Sequence, residues 1–339
     1  MAKKRFFVLF LVLALVAGHA YTLLQLTHGT FTSPDANGYF AQGALVARHG
    51  STELEPESPL GYIGMHWLKT EDGRFFSRYP PGVGVLVAIP YKLFGPEAGI
   101  LVMPILASLT LLFLFLLCRP HTGDWLALLA TLLFAVQPTA ATHALNWGSH
   151  TAVAFFLVAG LYFVDSWSRS PSWWKVFVGG LLLGVVPALR YAEVVAGAGI
   201  AIFLIYHVIR RRRYASHLLV AFAAAAIPVG LLMWRNHSVF GSPFDTGYAL
   251  TGEQQSGTGF RWEFFLDKWR PYLTGLMGNG MGLFFGLGLA GLAGMFARRA
   301  TLPVALLLAL TIFPISIVYA SYYWGGNMLD SGLRFLLPT

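Results

Sequence analysis

The chain has 339 residues, of which 56% are hydrophobic and only 11% charged. Soluble globular chains carry about 25% charged residues, so water is not the solvent for most of this surface. The formal charge of +8 does not mark a nucleic-acid binder. Its bases form short clusters at the ends of apolar runs (Lys3, Lys4, Arg5; Arg210 to Arg213; Arg298, Arg299), the pattern of cytoplasmic membrane anchors, instead of one continuous basic face.

The composition predicts an all-α fold: a polytopic transmembrane helical bundle of about nine spans, with an interfacial helix and helical outer loops. At the N-terminus a basic start leads into an apolar stretch that continues to Leu26. That exceeds the 7–15 residues usual in a cleaved signal peptide, so an uncleaved first helix over 6–26 is expected. Further spans are predicted over 97–117, 125–141, 150–166, 174–190, 194–210, 216–234, 275–296 and 301–321. The run at 82–94 is about 13 residues, short of the roughly 20 a crossing helix needs, and reads as interfacial or re-entrant.

Charge position tests that assignment. If 82–94 does not cross, the segments on the N-terminal side hold twelve of the 23 bases and two of the 15 acids, Asp124 and Asp165. If it crosses, Arg210 to Arg213 move to the outside, against the positive-inside rule. The N-terminus is therefore expected in the cytoplasm of a cell whose inner or plasma membrane holds the protein. Three segments then face outward, at 27–81, 235–274 and 322–339. The first two are too long for turns, and long ordered loops carry function. One membrane domain over 1–339 is the simplest organisation. The final Arg334-Phe335-Leu336-Leu337-Pro338-Thr339 reads like the start of another helix, as if the sequence were truncated there.

Each candidate site has a bland reading beside the functional one. Asp35, in Ser33-Pro34-Asp35, either caps the helix that follows or acts as a general base at the interface. Arg78 and Tyr79, before Pro80-Pro81-Gly82, suit a lipid phosphate or simple interfacial anchoring. Arg190 and Glu193, three apart in a tight hairpin, form an ion pair or bind an anion. His143 and His150 are too few for a metal site, and the lone Cys118 rules out an intrachain disulfide and a multi-cysteine zinc site. Arg235 to Tyr248 and Tyr322 to Phe335 are rich in aromatics and glycines, as sugar-stacking surfaces and aromatic belts both are. Asn236-His237-Ser238 matches the glycosylation pattern, but it abuts a membrane helix and no glycan is expected. In 275–296, Gly278, Gly282, Gly286, Ala290 and Gly294 form a small-residue ridge expected to pack against another helix.

In this order, the segments resemble the GT-C superfamily of membrane glycosyltransferases, closest to its protein-mannosyltransferase and aminoarabinose-transferase-like branch. The likeness rests on Asp35 in the first outer loop, Tyr79-Pro80-Pro81-Gly82, Arg190 ending a Gly-rich helix, Asn236 through Tyr248, and Trp324-Gly325-Gly326 through Arg334-Phe335-Leu336-Leu337-Pro338. It implies inverting transfer of a hexosyl or pentosyl group from a polyprenyl-phosphate carrier to a hydroxyl acceptor on a lipid, glycan or protein. Asp35 would be the general base, with Arg78, Arg190 and Arg334 on the donor phosphate and Tyr39, Tyr79, His150, Tyr248 and Trp324 contacting substrate. The transfer the resemblance implies is metal-independent or weakly metal-assisted, with no other cofactor. The sequence departs from the family where Ala36 and Asn37 stand in place of a second loop carboxylate, and where Asn146 and His150 replace one at the end of the 125–141 helix. A lipid or lipid-linked sugar transporter and an inactive scaffold of the same shape are the competing readings.

Overall fold

The structure is a computed structural model describing residues 2–29, 33–56, 58, 64, 66–251, 259–278 and 282–323. Helix α1 (Ala2–Leu26) leads into α2 (Pro34–His49). A small antiparallel sheet follows, of β1 (Glu53–Leu54), β2 (Trp67–Lys69) and β3 (Phe75–Ser77), with β3 in the middle. Within the outer segment 27–81 the described residues form the helix α2, as expected, and then add a small sheet that the sequence reading did not include. Phe75, Phe76 and Trp67 are the aromatic residues such pairing favours.

Next come α3 (Gly82–Phe94), α4 (Pro96–Ile100), α5 (Val102–Thr122), α6 (Asp124–Ala135), α7 (Pro138–Leu145), α8 (Ser149–Arg169) and α9 (Trp173–Leu189). A 3₁₀ turn at Tyr191–Val195 enters α10 (Ala196–Arg210), and another at Arg212–Tyr214 enters α11 (Ala215–Phe240). The chain closes with α12 (Gly247–Leu250), α13 (Trp262–Gly278), α14 (Gly282–Phe296) and α15 (Leu302–Ala320).

Among the described residues, six segments are long and apolar enough to cross a membrane: Phe6–Leu26, Val102–Thr122, Ser149–Arg169, Tyr191–Arg210, Arg212–Phe240 and Leu302–Ala320. Two bent pairs among the same residues bring the number to as many as eight. The remaining expected span is α9, whose 17 residues are at the lower limit for crossing. The α6–α7 pair bends by 55° at Pro138. Proline disfavours helical backbone in the residue before it, and Gln137 is extended there, its side chain capping the Ala140 amide at 2.6 Å. In the second pair, α13 and α14 lie at 109°. Between them runs Gly278-Asn279-Gly280-Met281-Gly282, in which glycine and asparagine are weak helix formers. The small-residue ridge departs from expectation too. A Cβ added at Gly278, Gly286 or Gly294 would meet no described atom within 4 Å.

Short α3 does not cross but packs against α2, burying Val83 and Val87 completely. Helix α9 is the axle of the bundle, flanked by α8 and α11. Contacts between helices gather the C-terminal ends of α1, α9, α11 and α15 with the N-terminal ends of α5, α8 and α10. The opposite end carries the basic clusters and its own ion pairs. There the fully buried Asp165 accepts from Arg169 Nη2 at 2.9 Å and meets His121 Nε2 at 3.1 Å.

Candidate active site

The site begins at the first turn of α2. Ser33 Oγ accepts from the Ala36 amide at 3.1 Å and so caps the helix, with Pro34 in the first turn, where its missing N–H is no loss. Capping therefore falls to Ser33, and the Asp35 carboxylate turns elsewhere. Its Oδ1 accepts from the Tyr79 hydroxyl at 2.5 Å and lies 3.7 Å from His66 Nε2. The Asp35 side chain is 37% exposed, so it stands at the lip of the site.

The sheet brings these partners to it. The Arg78 amide donates to the His66 carbonyl at 2.9 Å, extending the β2–β3 pairing and setting His66 beside Tyr79, ring centroids 5.1 Å apart. Burial, then the nearby Arg78, push the His66 imidazole below its ordinary pKa, against a smaller upward pull from Asp35. The ring is thus neutral at neutral pH. Burial, reinforced by the Asp35 charge, drives the Tyr79 phenol far above its usual range, so Tyr79 serves only as a neutral donor.

One turn along α2, Tyr39 stacks obliquely on Tyr79 with centroids 4.6 Å apart. Its hydroxyl donates to Ser149 Oγ at 3.1 Å, and burial is the main cause of its pKa being raised to about 12. Ser149 opens α8 just after Trp147, whose φ of 60° is an uncommon conformation for a bulky residue. The buried Trp147 indole is fixed by a 3.0 Å bond from its N–H to the Ile100 carbonyl.

Arg190, capping the C-terminus of α9, lies on the far side of Ser149. It donates through Nη1 to Ser149 Oγ at 3.2 Å and to His150 Nε2 at 2.8 Å. Because guanidinium only donates, His150 accepts at Nε2 and its proton sits on Nδ1. Arg190 also bonds Glu193 Oε1 at 2.8 Å and the Tyr319 hydroxyl at 2.7 Å. Tyr319 in turn donates to Glu193 Oε1 at 2.7 Å. Of the two readings of Arg190 and Glu193, the ion pair is present, and Glu193 is wholly buried within it.

Tyr248 roofs the cluster. Arg78 lies over both the Tyr79 and Tyr248 rings, 5.4 Å from each centroid. Two glycines permit this closeness. A Cβ at Gly82 would stand 2.4 Å from the Ala188 carbonyl oxygen, and one at Gly247 would stand 2.3 Å from Arg78 Cα. Gly82 therefore seats the start of α3 on the end of α9, and Gly247 seats Tyr248 on Arg78.

Seven of the sequence-derived candidates thus meet in one connected cluster: Asp35, Tyr39, Arg78, Tyr79, His150, Arg190 and Tyr248. The other two, Trp324 and Arg334, lie outside the described residues. Sequence reasoning missed His66, which the β2–β3 pairing delivers, and Tyr319, which hides in an apolar helix. Ser149, next to the candidate His150, was missed as well. Among the described residues, no group of three or more His, Cys, Asp or Glu side chains is placed to hold a metal ion.

A helical bundle with its polar groups converging at one end of the helices is a fold with known parallels, and part of the chain is similar to a known family. Residues 78–234 match the family model for dolichyl-phosphate-mannose-protein mannosyltransferase. The fold is similar to the crystal structure of ArnT from Cupriavidus metallidurans in the apo state, with a TM-score of 0.60 and 15% identity over 100% of this chain and 58% of that one. It is also similar to the archaeal oligosaccharyltransferase AglB from Archaeoglobus fulgidus in complex with an inhibitory peptide and a dolichol-phosphate, with a TM-score of 0.49 and 15% identity over 97% of this chain and 49% of that one. This chain thus spans between about half and three fifths of the length of those proteins. No curated protein matches the sequence.

Proposed function

We propose that the protein is an inverting glycosyltransferase that moves a sugar from a polyprenyl-phosphate carrier to a hydroxyl acceptor on the non-cytoplasmic face of the membrane. One observation carries the reading. Asp35, relieved of capping by Ser33, presents a carboxylate at the lip of the site while Tyr79 fixes it from behind at 2.5 Å.

A carboxylate so held accepts the acceptor's proton as its oxygen attacks the anomeric carbon. The bond between that carbon and the carrier phosphate breaks on the opposite face. The proton ends on Asp35, and the carrier phosphate departs with the bonding electrons. Positive charge fixed nearby stabilises that departing anion, and Arg78 is placed for it. The donor named in the matched family's description, a dolichyl-phosphate sugar, agrees in class with this carrier. The basic clusters gather at the end of the helices opposite the site, which supports an outward-facing site under the positive-inside rule.

The test is transfer from a panel of polyprenyl-phosphate sugars by the purified full-length protein, beside Asp35→Asn. Transfer lost in the variant, with folding intact, supports the reading; unchanged transfer removes Asp35 from it. We also propose that no resident metal takes part, since the described residues beside Asp35 include a phenol and an imidazole and no second carboxylate. Transfer should then survive chelation.

The transport reading gains one observation, the two bent helix pairs, because broken helices mark transporter sites. It calls for polar groups near the middle of the membrane, whereas the polar cluster here joins helix ends. Movement of lipid-linked sugar by a protein that transfers none would favour it.

A further inference from the structure

Resting on the reading above, we infer that Arg235, and not Arg190, holds the phosphate anion of the substrate together with Arg78. The two guanidiniums are in opposite conditions. Arg190 is bonded to Glu193, Tyr319, Ser149 and His150, and removing its charge to a ligand would strip a buried carboxylate of its partner. Arg235, near the end of α11, has Nε and Nη2 buried without a hydrogen-bond partner among the described residues. Its Nη1 makes one long contact, 3.5 Å to Asn236 Oδ1.

Around Arg235 stand ring faces, Phe240 at 4.9 Å and Phe76 at 6.0 Å. They attract a cation but give it no acceptor. A buried charge lacking its hydrogen bonds is costly, and such a cost is kept where a ligand removes it. Guanidinium presents a planar fork matched to phosphate oxygens.

Position agrees with this role. Asn236 accepts from the Tyr191 hydroxyl at 3.2 Å. Tyr191 meets Tyr248 edge to face at 6.3 Å, and Tyr248 meets Tyr79 at 6.2 Å. Arg235 is thus linked to the base through three aromatic rings. Below it, α9, α10 and α11 enclose an apolar cleft of about 170 Å³ that runs past Leu183, Ala225 and Val229 to Glu193 and reaches the lipid-facing surface at Val194 and Phe222. Val229 lies six residues before Arg235 on the same helix, about 9 Å at 1.5 Å per residue. An apolar cleft whose lining ends six residues before an unmatched cation on the same helix suits an isoprenoid chain ending in phosphate, although a phosphate on the acceptor has the same headgroup chemistry.

The experiment measures binding, not transfer. Purified full-length protein in zwitterionic nanodiscs is titrated with a sugar-free long-chain isoprenyl monophosphate and, separately, with inorganic phosphate. Wild type, Arg235→Ala, Arg235→Gln and Arg235→Lys are compared, with thermal unfolding recorded without ligand. Isoprenyl phosphate should bind at least tenfold more weakly to Arg235→Ala and Arg235→Gln, with Arg235→Lys in between. The ligand-free Tm of Arg235→Ala should equal or exceed that of wild type. If inorganic phosphate alone loses affinity, Arg235 still holds the anion, but on the acceptor's side. Equal binding by wild type and Arg235→Ala overturns the inference while leaving the glycosyltransferase standing. So does a lowered ligand-free Tm in both Arg235→Ala and Arg235→Gln, which would make Arg235 structural. If wild type binds neither probe, the inference falls together with the carrier reading.

Discussion

Tyr79 donates its hydroxyl hydrogen to Asp35 Oδ1 across 2.5 Å, and Asp35 is available to accept it because Ser33 already caps the helix. The two residues are 44 positions apart in sequence and meet because α2 and the β3–α3 junction pack together. Replacing the base removes a proton acceptor whose contribution is typically 10²–10⁴-fold. Asp35→Asn should cut kcat by about that factor and leave the Tm near wild type. Tyr79→Phe removes one hydrogen bond to a charged group, worth about 1.5–3 kcal/mol. It should slow transfer about ten- to a hundredfold while KM for the donor changes little. Steady-state kinetics beside thermal unfolding separates the two effects.

What the sequence discloses here depends on distance along the chain. Asp35, Arg78, Tyr79, Arg190 and Tyr248 are legible because each sits beside a local signal: a cap, a Pro-Pro-Gly turn, a helix end, a glycine. His66 is not, since nothing next to it hints at its role; only the pairing of β2 with β3 sets it against Tyr79. Tyr319 lies within an apolar run, and its hydroxyl finds a purpose only when α15 meets the turn after α9. The division of labour between Ser33 and Asp35 was also hidden, because either side chain can cap and only the fold decides. The bend after α6 was hidden for a related reason. Hydropathy registers a run as continuous across Pro138, whereas backbone preference bends the helix there.

The Arg190–Glu193 pair makes a prediction about stability separate from activity. Glu193 is wholly buried, so Arg190→Ala leaves a carboxylate without its partner, a change that costs about 3–5 kcal/mol. The double variant Arg190→Met, Glu193→Leu removes both charges and should regain most of that stability. Transfer should stay low in both proteins, because Ser149 and His150 lose the donor that orients them. Thermal unfolding and activity of the single and double variants provide the check; a double variant as unstable as the single would show that the pair is not what matters.

Gly247 supplies a steric test of the roof. Its missing Cβ would lie 2.3 Å from Arg78 Cα, which is backbone and cannot swing aside. Gly247→Ala should therefore lift Tyr248 off Arg78, cost about 1–3 kcal/mol in overpacking and raise KM for the donor. Gly230 on α11 has no described atom within 4 Å of an added Cβ. Gly230→Ala should be neutral or slightly stabilising, since alanine is the better helix former by about 1 kcal/mol. Equal effects of the two substitutions on KM would count against the close approach of Tyr248 and Arg78.

His66 makes the site sensitive to acid, and the sign follows from its depressed pKa. Burial and Arg78 disfavour the imidazolium in the folded protein, whereas an unfolded chain protonates the same ring near its ordinary 6.5. Above 6.5 the ring is neutral in both states and costs nothing. Below it the unfolded state takes up the proton first, so stability is lost as pH falls through the folded pKa. His66→Gln has no proton to take up and should show a shallower decline of Tm between pH 7.5 and 5. Activity should follow in the same direction, because an imidazolium formed 3.7 Å from Asp35 Oδ1 would compete for the base. Parallel Tm and pH–rate profiles of wild type and His66→Gln decide it: identical acid limbs would clear His66 of any part in the acid response.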